Sequence, residues 1–294
     1  MNVGPQYSKD DCFKRLARLH QSNYRAEVLR VDYDRYGSRL TYEDARQGLN
    51  YYPELGVRDE WKKRFPKYSK RREPDLLRSE HMPFNLFAPL KTDLGFAKDL
   101  FNIFLGGVMH QIQAIRFEYA PRPRRRYLND GTSFDTYIVF THVDGKKGAV
   151  GIEVKYTEGA YRIGPKEASF VNDKESPYWT VTEKSRLYVE DAEASLISDD
   201  FRQIWRNHIL GESIKQQGEI EHFTSMIIYP SGNSHFSEVV PKYQELLRSD
   251  KKGSFRGLPL DSFVEQLRNL GASPELERWI DYLDERYLVR PEVG

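Results

Sequence analysis

Two carboxylates and one ammonium group occur in neighbouring segments that have the composition of β-strands. Glu153 and Lys155 are two residues apart in VGIEVKY (150–156), and Asp135 belongs to SFDTYIVFTH (133–142). Side chains two apart on a strand point to the same face of the sheet, so Glu153 and Lys155 share a face. Carboxylate oxygens suit Mg²⁺ or Mn²⁺, and a neighbouring cation can stabilise charge on a phosphate. The residues therefore indicate metal-dependent phosphodiester hydrolysis.

The turn between these segments decides where Asp135 lies. VDGKKG (143–148) contains Asp-Gly, a strong turn signal, so the two segments are predicted to form a β-hairpin. If the loop starts at Asp144, a five-residue loop places Asp135 opposite Thr157, and a three-residue loop places it opposite Lys155. In both registers the two acids and the lysine share one face, whereas a slip by one residue would separate them.

The periodicity of apolar residues predicts the elements that position this hairpin. In chain order they are a helix (93–105), a strand (114–119), the hairpin (133–157), a helix (199–217) and a strand (222–229). Residues 159–198 are predicted to be mostly an irregular excursion. The chain beyond 239 is predicted to be helical, with one interruption at 251–261. This order predicts an α/β core with helices and a mixed sheet.

At the hairpin the sequence resembles the PD-(D/E)xK superfamily, the restriction-endonuclease-like nucleases. That pattern places an acid on the second core strand and Glu-x-Lys on the third. Asp135 and the run Glu153-Val154-Lys155 match these positions, while Phe134 stands where the pattern has proline. The resemblance implies DNA as the substrate and Mg²⁺ or Mn²⁺ as the cofactor.

The resemblance spans residues 93–229 and implies a restriction-endonuclease-like αβββαβ core. Its mixed central sheet would be flanked by helices, with helical extensions at both ends of the chain. We accordingly divide the chain into a polar, aromatic N-terminal extension (1–75), a nuclease-like core (76–240) and a C-terminal helical extension (241–294).

Within this scheme Asp135 and Glu153 are the predicted metal ligands, and the backbone carbonyl of Val154 is a third. Lys155 would orient or deprotonate the attacking water, or stabilise the developing charge. The alternative is that Glu-x-Lys is only the solvent face of a strand. We favour the nuclease site because apolar neighbours cover the opposite face and a helix is available to cover this one.

A further metal-binding acid is often supplied by or near the first core helix in similar nucleases. Glu80 and Asp99 are the candidates here, with Glu80 preferred, and Glu158 is a third. Each of them could instead be an ordinary surface carboxylate.

The predicted helix 199–217 presents Gln203, Arg206 and Asn207 on a polar face opposite its apolar stripe. In similar nucleases such a glutamine supports catalysis and such an arginine contacts a phosphate. We therefore assign a catalytic role to Gln203 and nucleic-acid contact to Arg206, with a solvated helix face as the alternative.

Two cationic segments are candidates for contact with phosphates. Arg122, Arg124, Arg125 and Arg126 lie in PRPRRR, before the second core strand, and are expected to contact the nucleic-acid backbone, with a solvated loop as the alternative. The stretch 60–72 is either such an arm or, as charge runs more often are, a solvated face.

Composition excludes several other classes of protein. Lys and Arg number 45 and Asp and Glu 44, so a basic coat over the whole surface is excluded, but a local phosphate track is not. The single cysteine excludes an internal disulfide and a cysteine-based zinc cluster, and the seven histidines include no HxxxH pair. The chain has neither a membrane-length apolar run nor an apolar leader, so we expect a cytoplasmic protein.

The sequence thus predicts a Mg²⁺-dependent endodeoxyribonuclease of the restriction-like type, serving defence or repair. Double-stranded DNA is the expected form of the substrate. A homodimer is one expected state because many such enzymes cut as dimers, although no interface signal is visible. The alternative is a non-cleaving nucleic-acid-binding or scaffolding module that retains the nuclease fold.

Overall fold

The computed structural model describes residues 2–160 and 162–290. Within these ranges the α-helices are α1 (Cys12–Asn23), α2 (Tyr42–Arg46), α3 (Val57–Arg64), α4 (Met82–Phe87), α5 (Leu94–Leu105), α6 (Pro165–Asn172), α7 (Pro177–Ser185), α8 (Glu193–Leu196), α9 (Arg202–Gln216), α10 (Ser234–Glu245), α11 (Leu260–Asn269) and α12 (Pro274–Tyr287). The strands are β1 (Met109–Tyr119), β2 (Phe134–His142), β3 (Lys147–Val154), β4 (His222–Tyr229) and β5 (Phe255–Pro259). A π-helical turn follows α1, and short 3₁₀ segments lie at Ser79–His81, Pro89–Lys91, Arg124–Arg126 and Ser249–Ser254.

The described strands form one mixed sheet in the order β1-β2-β3-β4-β5. The pairs β1–β2 and β2–β3 are antiparallel, whereas β3–β4 and β4–β5 are parallel. Helices cover both faces of this sheet. The predicted α/β architecture, with its α, β, hairpin, α, β order, is confirmed.

Local signals position the first core helix and the strand that closes the core. The side chain of Asp93 accepts a hydrogen bond from the backbone N–H of Phe96 (2.9 Å), which caps α5. The helix ends at Gly106, whose φ of 76° lies in the left-handed region that glycine adopts without strain. Strand β4 has the bounds that its apolar run predicts, with Pro230 directly after it.

The β-hairpin is confirmed, but both predicted registers are wrong. The observed pairs run from Thr141–Lys147 to Thr136–Ile152, so the loop is Val143–Gly145 and starts one residue earlier than expected. Gly145 has a φ of 84°, as the last residue of such three-residue loops requires. The observed register differs from each predicted register by an even number of residues. Each side chain therefore still lies on the predicted face of the sheet.

One other prediction about the core's surroundings is wrong. The segment 159–198 is not mostly irregular: it contains α6, α7 and α8, helices too short for a clear period, and Trp179 of α7 packs against Trp205 of α9. The predicted interruption of the C-terminal helices at 251–261 is confirmed, and it contains β5, a short strand that ends in proline. Gly257 of β5 lies so close to α10 that an added Cβ would be 2.1 Å from a methyl carbon of Val240.

The two faces of the sheet bury different apolar clusters. One cluster joins inward residues such as Ile138 and Ile152 to α4, α5, α11 and α12, and it also includes Ala17 and Trp61 from the N-terminal part. The other cluster joins Val139 to α7, α9 and α10. Residues 1–75 and 241–294 thus contribute to the same apolar cluster as the sheet, while the division into a core and two extensions stays a prediction.

Gly211→Ala is expected to lower the free energy of unfolding by about 1–3 kcal/mol. The backbone of α9 lies so close to β4 at this position that an added Cβ would be 1.9 Å from ring carbons of Phe223. That clash outweighs the helix propensity gained with alanine, about 1 kcal/mol. Urea denaturation measures the difference. Gly253→Ala is the matched control, because its added methyl group would meet no atom within 4 Å; equal stability of the two variants would contradict the close approach of α9 to β4.

Across the described ranges, no helix has both the length and the apolarity needed to cross a bilayer.

Candidate active site

Asp135 and Glu153 lie side by side near the end of the hairpin away from its turn. Continuing the observed register by one pair beyond Thr136–Ile152 places Asp135 directly opposite Glu153. The backbone N–H of Val154 donates a hydrogen bond to Asp135 Oδ2 (2.7 Å), which fixes this carboxylate against β3. The structure thus brings the two predicted acidic ligands together, while the carbonyl of Val154 stays a predicted ligand.

Lys155 joins this pair through an almost completely buried ammonium group. Its side chain is 8% exposed, and Nζ lies 2.8 Å from Glu153 Oε1. The same Nζ donates a hydrogen bond to Gln203 Oε1 (2.8 Å). Buried charges need paired partners, and this lysine has a carboxylate and an amide oxygen.

Helix α9 holds Glu153 from above the sheet. Gln203 Nε2 donates to Glu153 Oε1 (2.5 Å), and Asn207 Nδ2 donates to Glu153 Oε2 (2.7 Å). Residues four apart lie on the same helix face, so both amides reach one carboxylate. The polar face predicted for this helix therefore points into the site rather than into open solvent at these two positions.

Glu118 is a third carboxylate that the sequence analysis did not assign to the site. The pairs Phe117–Thr136 and Tyr119–Phe134 bracket it, so Glu118 lies opposite Asp135 on β1. Its φ of 48° is left-handed, an unusual conformation for glutamate that occurs mainly at turns and functional sites. In the sequence Glu118 is an ordinary charged position of an alternating strand, and only the β1–β2 register reveals its neighbours.

The pKa values of Asp135 and Glu118 are both raised in this cluster. Burial, followed by the charges of Glu153 and Glu118, raises the pKa of Asp135 well above its ordinary value. Burial also raises the pKa of Glu118 to about 7, aided by Glu153 and opposed by Arg64. Burial alone would lower the pKa of Lys155, but the surrounding carboxylates, Glu153 first, raise it overall. Lys155 therefore remains a cation at neutral pH.

Glu118→Gln is expected to weaken the pH dependence of stability of the metal-free protein. Because the folded state binds the Glu118 proton more tightly than the unfolded state does, this group's contribution to stability is lost as the pH rises from about 4.5 to about 7. Glutamine cannot lose a proton, so the Tm of the variant in EDTA should exceed that of the native protein at pH 8 and approach it near pH 5. The exposed Glu183→Gln is the control. Parallel curves for all three proteins would show that Glu118 is not in this environment.

An open cleft of about 470 Å³ lies over Asp135 and Glu153. Asp135 and Glu153 form its floor. Its walls are residues 130–133 before β2, residues 164–167 at the start of α6, and the polar face of α9. A cleft of this kind leaves the carboxylates accessible to a polymer that passes across it.

The structure places the other candidate acids differently. Glu80 is close enough to raise the pKa of Glu118, but its carboxylate is 44% exposed and pairs with Arg78. Glu158 accepts hydrogen bonds from the backbone N–H groups of Ser79 and Tyr156, which is a structural use of its carboxylate. Asp99 is 58% exposed on α5, pairs with Lys98 and does not line the cleft.

The predicted phosphate contacts fall into two places. Arg206 lines the cleft, where it donates a hydrogen bond to Glu167 Oε1 (2.8 Å). The exposed residues Arg122 and Arg124–Arg126 do not line the cleft, and Arg126 contacts Gln217 just beyond the far end of α9. At 1.5 Å per residue, Gln217 is about 20 Å along the helix axis from Gln203. Any contact of Arg126 with a bound strand would be well away from the carboxylates.

The cationic stretch 60–72 is partly used inside the protein. Arg72 forms a salt bridge with the fully buried Glu73 (2.6 Å) and lies 3.7 Å from the centroid of the Phe65 ring. Arg64 donates a long hydrogen bond to the backbone carbonyl of Glu118 (3.5 Å). The lysines at 62 and 63 are exposed. This stretch is therefore neither wholly a solvated face nor wholly available to a ligand.

The donor set fits a hard divalent cation. Asp135, Glu153 and Glu118 lie on three adjacent strands with one ammonium group, that of Lys155, 2.8 Å from Glu153, and burial followed by the charges of Glu153 and Glu118 raises the pKa of Asp135. Oxygen donors of this kind are those that Mg²⁺ and Mn²⁺ prefer. Asp135 and Glu153 would hold the cation, with Glu118 on the adjacent strand.

Comparison with known proteins agrees with this arrangement. No curated protein and no solved structure matches the chain. A family model described as the PD-(D/E)XK nuclease superfamily matches residues 8–289, nearly the whole chain. The resemblance seen at the hairpin is thereby confirmed, and the chain belongs to the PD-(D/E)XK nuclease superfamily.

Proposed function

We propose that this chain is a divalent-metal-dependent endonuclease that hydrolyses phosphodiester bonds of DNA. The observation that carries the proposal is that Asp135 and Glu153 form the floor of an open cleft, while the buried ammonium group of Lys155 lies 2.8 Å from Glu153 and Gln203 binds both Glu153 and Lys155. Acids and a lysine on a solvated sheet face would not be buried together under a helix.

Each polar group has a specific task in this proposal. Lys155 stays protonated, because neighbouring carboxylates raise its pKa, so it stabilises negative charge on the phosphate and does not act as a general base. Gln203 and Asn207 position Glu153. Bound Mg²⁺ or Mn²⁺ would supply acidification of a water molecule and neutralisation of charge on the phosphate.

The cleft also contains cationic groups suited to the flanking phosphates. Arg206 and the exposed Lys166 lie on the wall formed by α9 and the start of α6. Arg126, which contacts Gln217, would bind the nucleic-acid backbone about 20 Å along α9 from Gln203, about six nucleotides at 3.4 Å per step. This spacing favours a duplex or a long single strand as substrate over a dinucleotide.

The test is incubation of the protein with supercoiled plasmid, linear duplex, single-stranded DNA and RNA, in Mg²⁺, Mn²⁺ or EDTA. Plasmid nicking or linearisation in metal and its absence in EDTA would support the proposal. Binding of DNA without cleavage in any metal would overturn it in favour of the non-cleaving module. Cleavage of RNA alone would overturn the choice of DNA. Sedimentation with and without duplex tests whether the protein acts as a homodimer.

A further inference from the structure

A second group of metal-binding side chains lies at the opposite end of the sheet from the candidate active site. His142 ends β2, Asp144 lies in the hairpin turn and His222 begins β4, and each offers one ligand atom within 4.8 Å of the other two. Among the described residues, this is the group of three His, Cys, Asp or Glu side chains whose ligand atoms all lie within that distance of one another. His142 is seven positions after Asp135 on β2, about 23 Å at 3.3 Å per residue.

The distances in this group match those between ligands of one small cation. His142 Nδ1 lies 2.9 Å from Asp144 Oδ1, and His222 Nε2 lies 2.8 Å from Asp144 Oδ2. The two imidazole rings are stacked, with centroids 3.8 Å apart and planes 18° from parallel. Ligand atoms about 2.0–2.2 Å from a shared Zn²⁺ ion are separated by about 3 Å or slightly more, so small shifts would complete such a site.

Hydrogen bonding alone leaves a conflict at His142. Its Nδ1 accepts a hydrogen bond from the backbone N–H of Asp144 (3.2 Å) and also lies 2.9 Å from that residue's carboxylate. One nitrogen cannot accept from an N–H and donate to a carboxylate in the same protonation state. An unprotonated Nδ1 has one lone pair, so a cation bound between this nitrogen and the carboxylate would take the place of the N–H donor.

The three ligands are held on rigid backbone. Lys146 N–H donates to Asp144 Oδ1 (2.9 Å), which fixes the side chain in the turn. His222 is paired with Gly148 of β3, and the preceding Glu221 is tied to Lys147 by its backbone N–H (2.9 Å) and by its carboxylate (3.2 Å). Ligands positioned in this way lose little conformational entropy when a metal binds.

We propose that His142, Asp144 and His222 form a Zn²⁺ site that clamps the β2–β3 turn to the start of β4. Two imidazole nitrogens and one carboxylate form a donor set typical of Zn²⁺ with an open fourth position, and unlike the all-oxygen set that Mg²⁺ prefers. The sequence showed no such pair because His142 and His222 are eighty residues apart and meet only across β3.

Calorimetric titration of the EDTA-stripped full chain with Zn²⁺ tests the site, in the native protein and in Asp135→Asn. One Zn²⁺ ion per chain should bind in both, and His222→Ala and Asp144→Asn should weaken that binding about 10–100-fold. At a free Zn²⁺ concentration of 100 times the native Kd, the Tm should rise by about 5 °C in the native chain and by only about 1–3 °C in these two variants. The exposed His110→Ala on β1 is the matched control and should bind as the native chain does.

Two results would overturn the proposal. One is a failure of Zn²⁺ to bind the native chain, or binding unchanged in both His222→Ala and Asp144→Asn. The other is binding that is lost in Asp135→Asn and kept in His222→Ala, which would place the ion at the nuclease site. Because the readout is metal binding and Tm, the result does not depend on whether the chain cleaves DNA.

Discussion

Asp135→Asn is expected to reduce metal-dependent cleavage about a thousand-fold while the protein stays folded. Asparagine has the size of aspartate, and its carbonyl oxygen can still accept the hydrogen bond that Val154 N–H donates to Asp135 (2.7 Å). The substitution removes only the negative charge, and with it a ligand of the proposed Mg²⁺ ion. Initial rates of plasmid cleavage at saturating Mg²⁺ measure the loss.

The same variant is expected to stabilise the metal-free protein at pH 8. Because burial and the charges of Glu153 and Glu118 raise the pKa of Asp135, the folded state favours the protonated acid, and its stability falls as the pH rises above the ordinary pKa of an aspartate. Asparagine resembles that protonated form at every pH. Its Tm in EDTA should therefore exceed the native value at pH 8, with a smaller gap in acid, and Mg²⁺ should raise it less.

Asp99→Asn is the control for both measurements, since this carboxylate is exposed on α5 outside the cleft. It should leave cleavage and the response of the Tm to Mg²⁺ unchanged. Native rates of cleavage in Asp135→Asn would remove Asp135 from the site. Equal losses in the two variants would show that charge in general, rather than this position, affects the assay.

Lys155→Met should lower the free energy of unfolding by about 3–5 kcal/mol at pH 8 and reduce cleavage about a hundredfold or more. Methionine fills the space of the lysine stem but lacks the ammonium group that lies 2.8 Å from Glu153 Oε1. Glu153 then keeps only the amides of Gln203 and Asn207 as partners. No cation remains in the buried cluster that Glu153 forms with Asp135. Because the carboxylates take up protons as the pH falls, the loss of stability should shrink toward pH 5. Urea denaturation at both pH values measures it.

A double variant separates the effect on stability from the effect on catalysis. Adding Glu153→Gln to Lys155→Met removes both members of the buried ion pair, so stability should partly return while cleavage stays lost. Lys251→Met is the control, because that lysine pairs only with the exposed Asp250 at the surface. If Lys155→Met were as stable as the native protein at pH 8, the buried ion pair would not exist in solution.

At the hairpin, the alternation of side chains along each strand was enough to predict which residues share a face. Side chains alternate along a strand, so Glu153 and Lys155 had to share a face, and every even error in register left Asp135 on it. The helix from Asp93 and the strand 222–229 were predictable because a cap and a bounded apolar run are local signals. Short elements lacked such signals, which is why α6, α7, α8 and β5 were missed.

The position of Glu118 was beyond the sequence for a different reason. Its place in the cluster depends on the β1–β2 register, and its left-handed φ depends on contacts made after the strands have paired. The placement of Gln203 and Asn207 could be predicted only in part. The polar face of α9 is visible in the sequence, but its placement over Glu153 results from how the helix packs on the sheet.

The sequence by itself determined the type of site: two acids and a lysine on one face of a hairpin, in the order that its superfamily uses. The tertiary structure alone decided which groups gather around them, because pairings between β1 and β2 and between α9 and β3 join residues far apart in the chain. It likewise decided that His142 and His222 meet at the other end of the sheet. Local alternation is set by bond geometry, whereas these meetings depend on packing of the whole core.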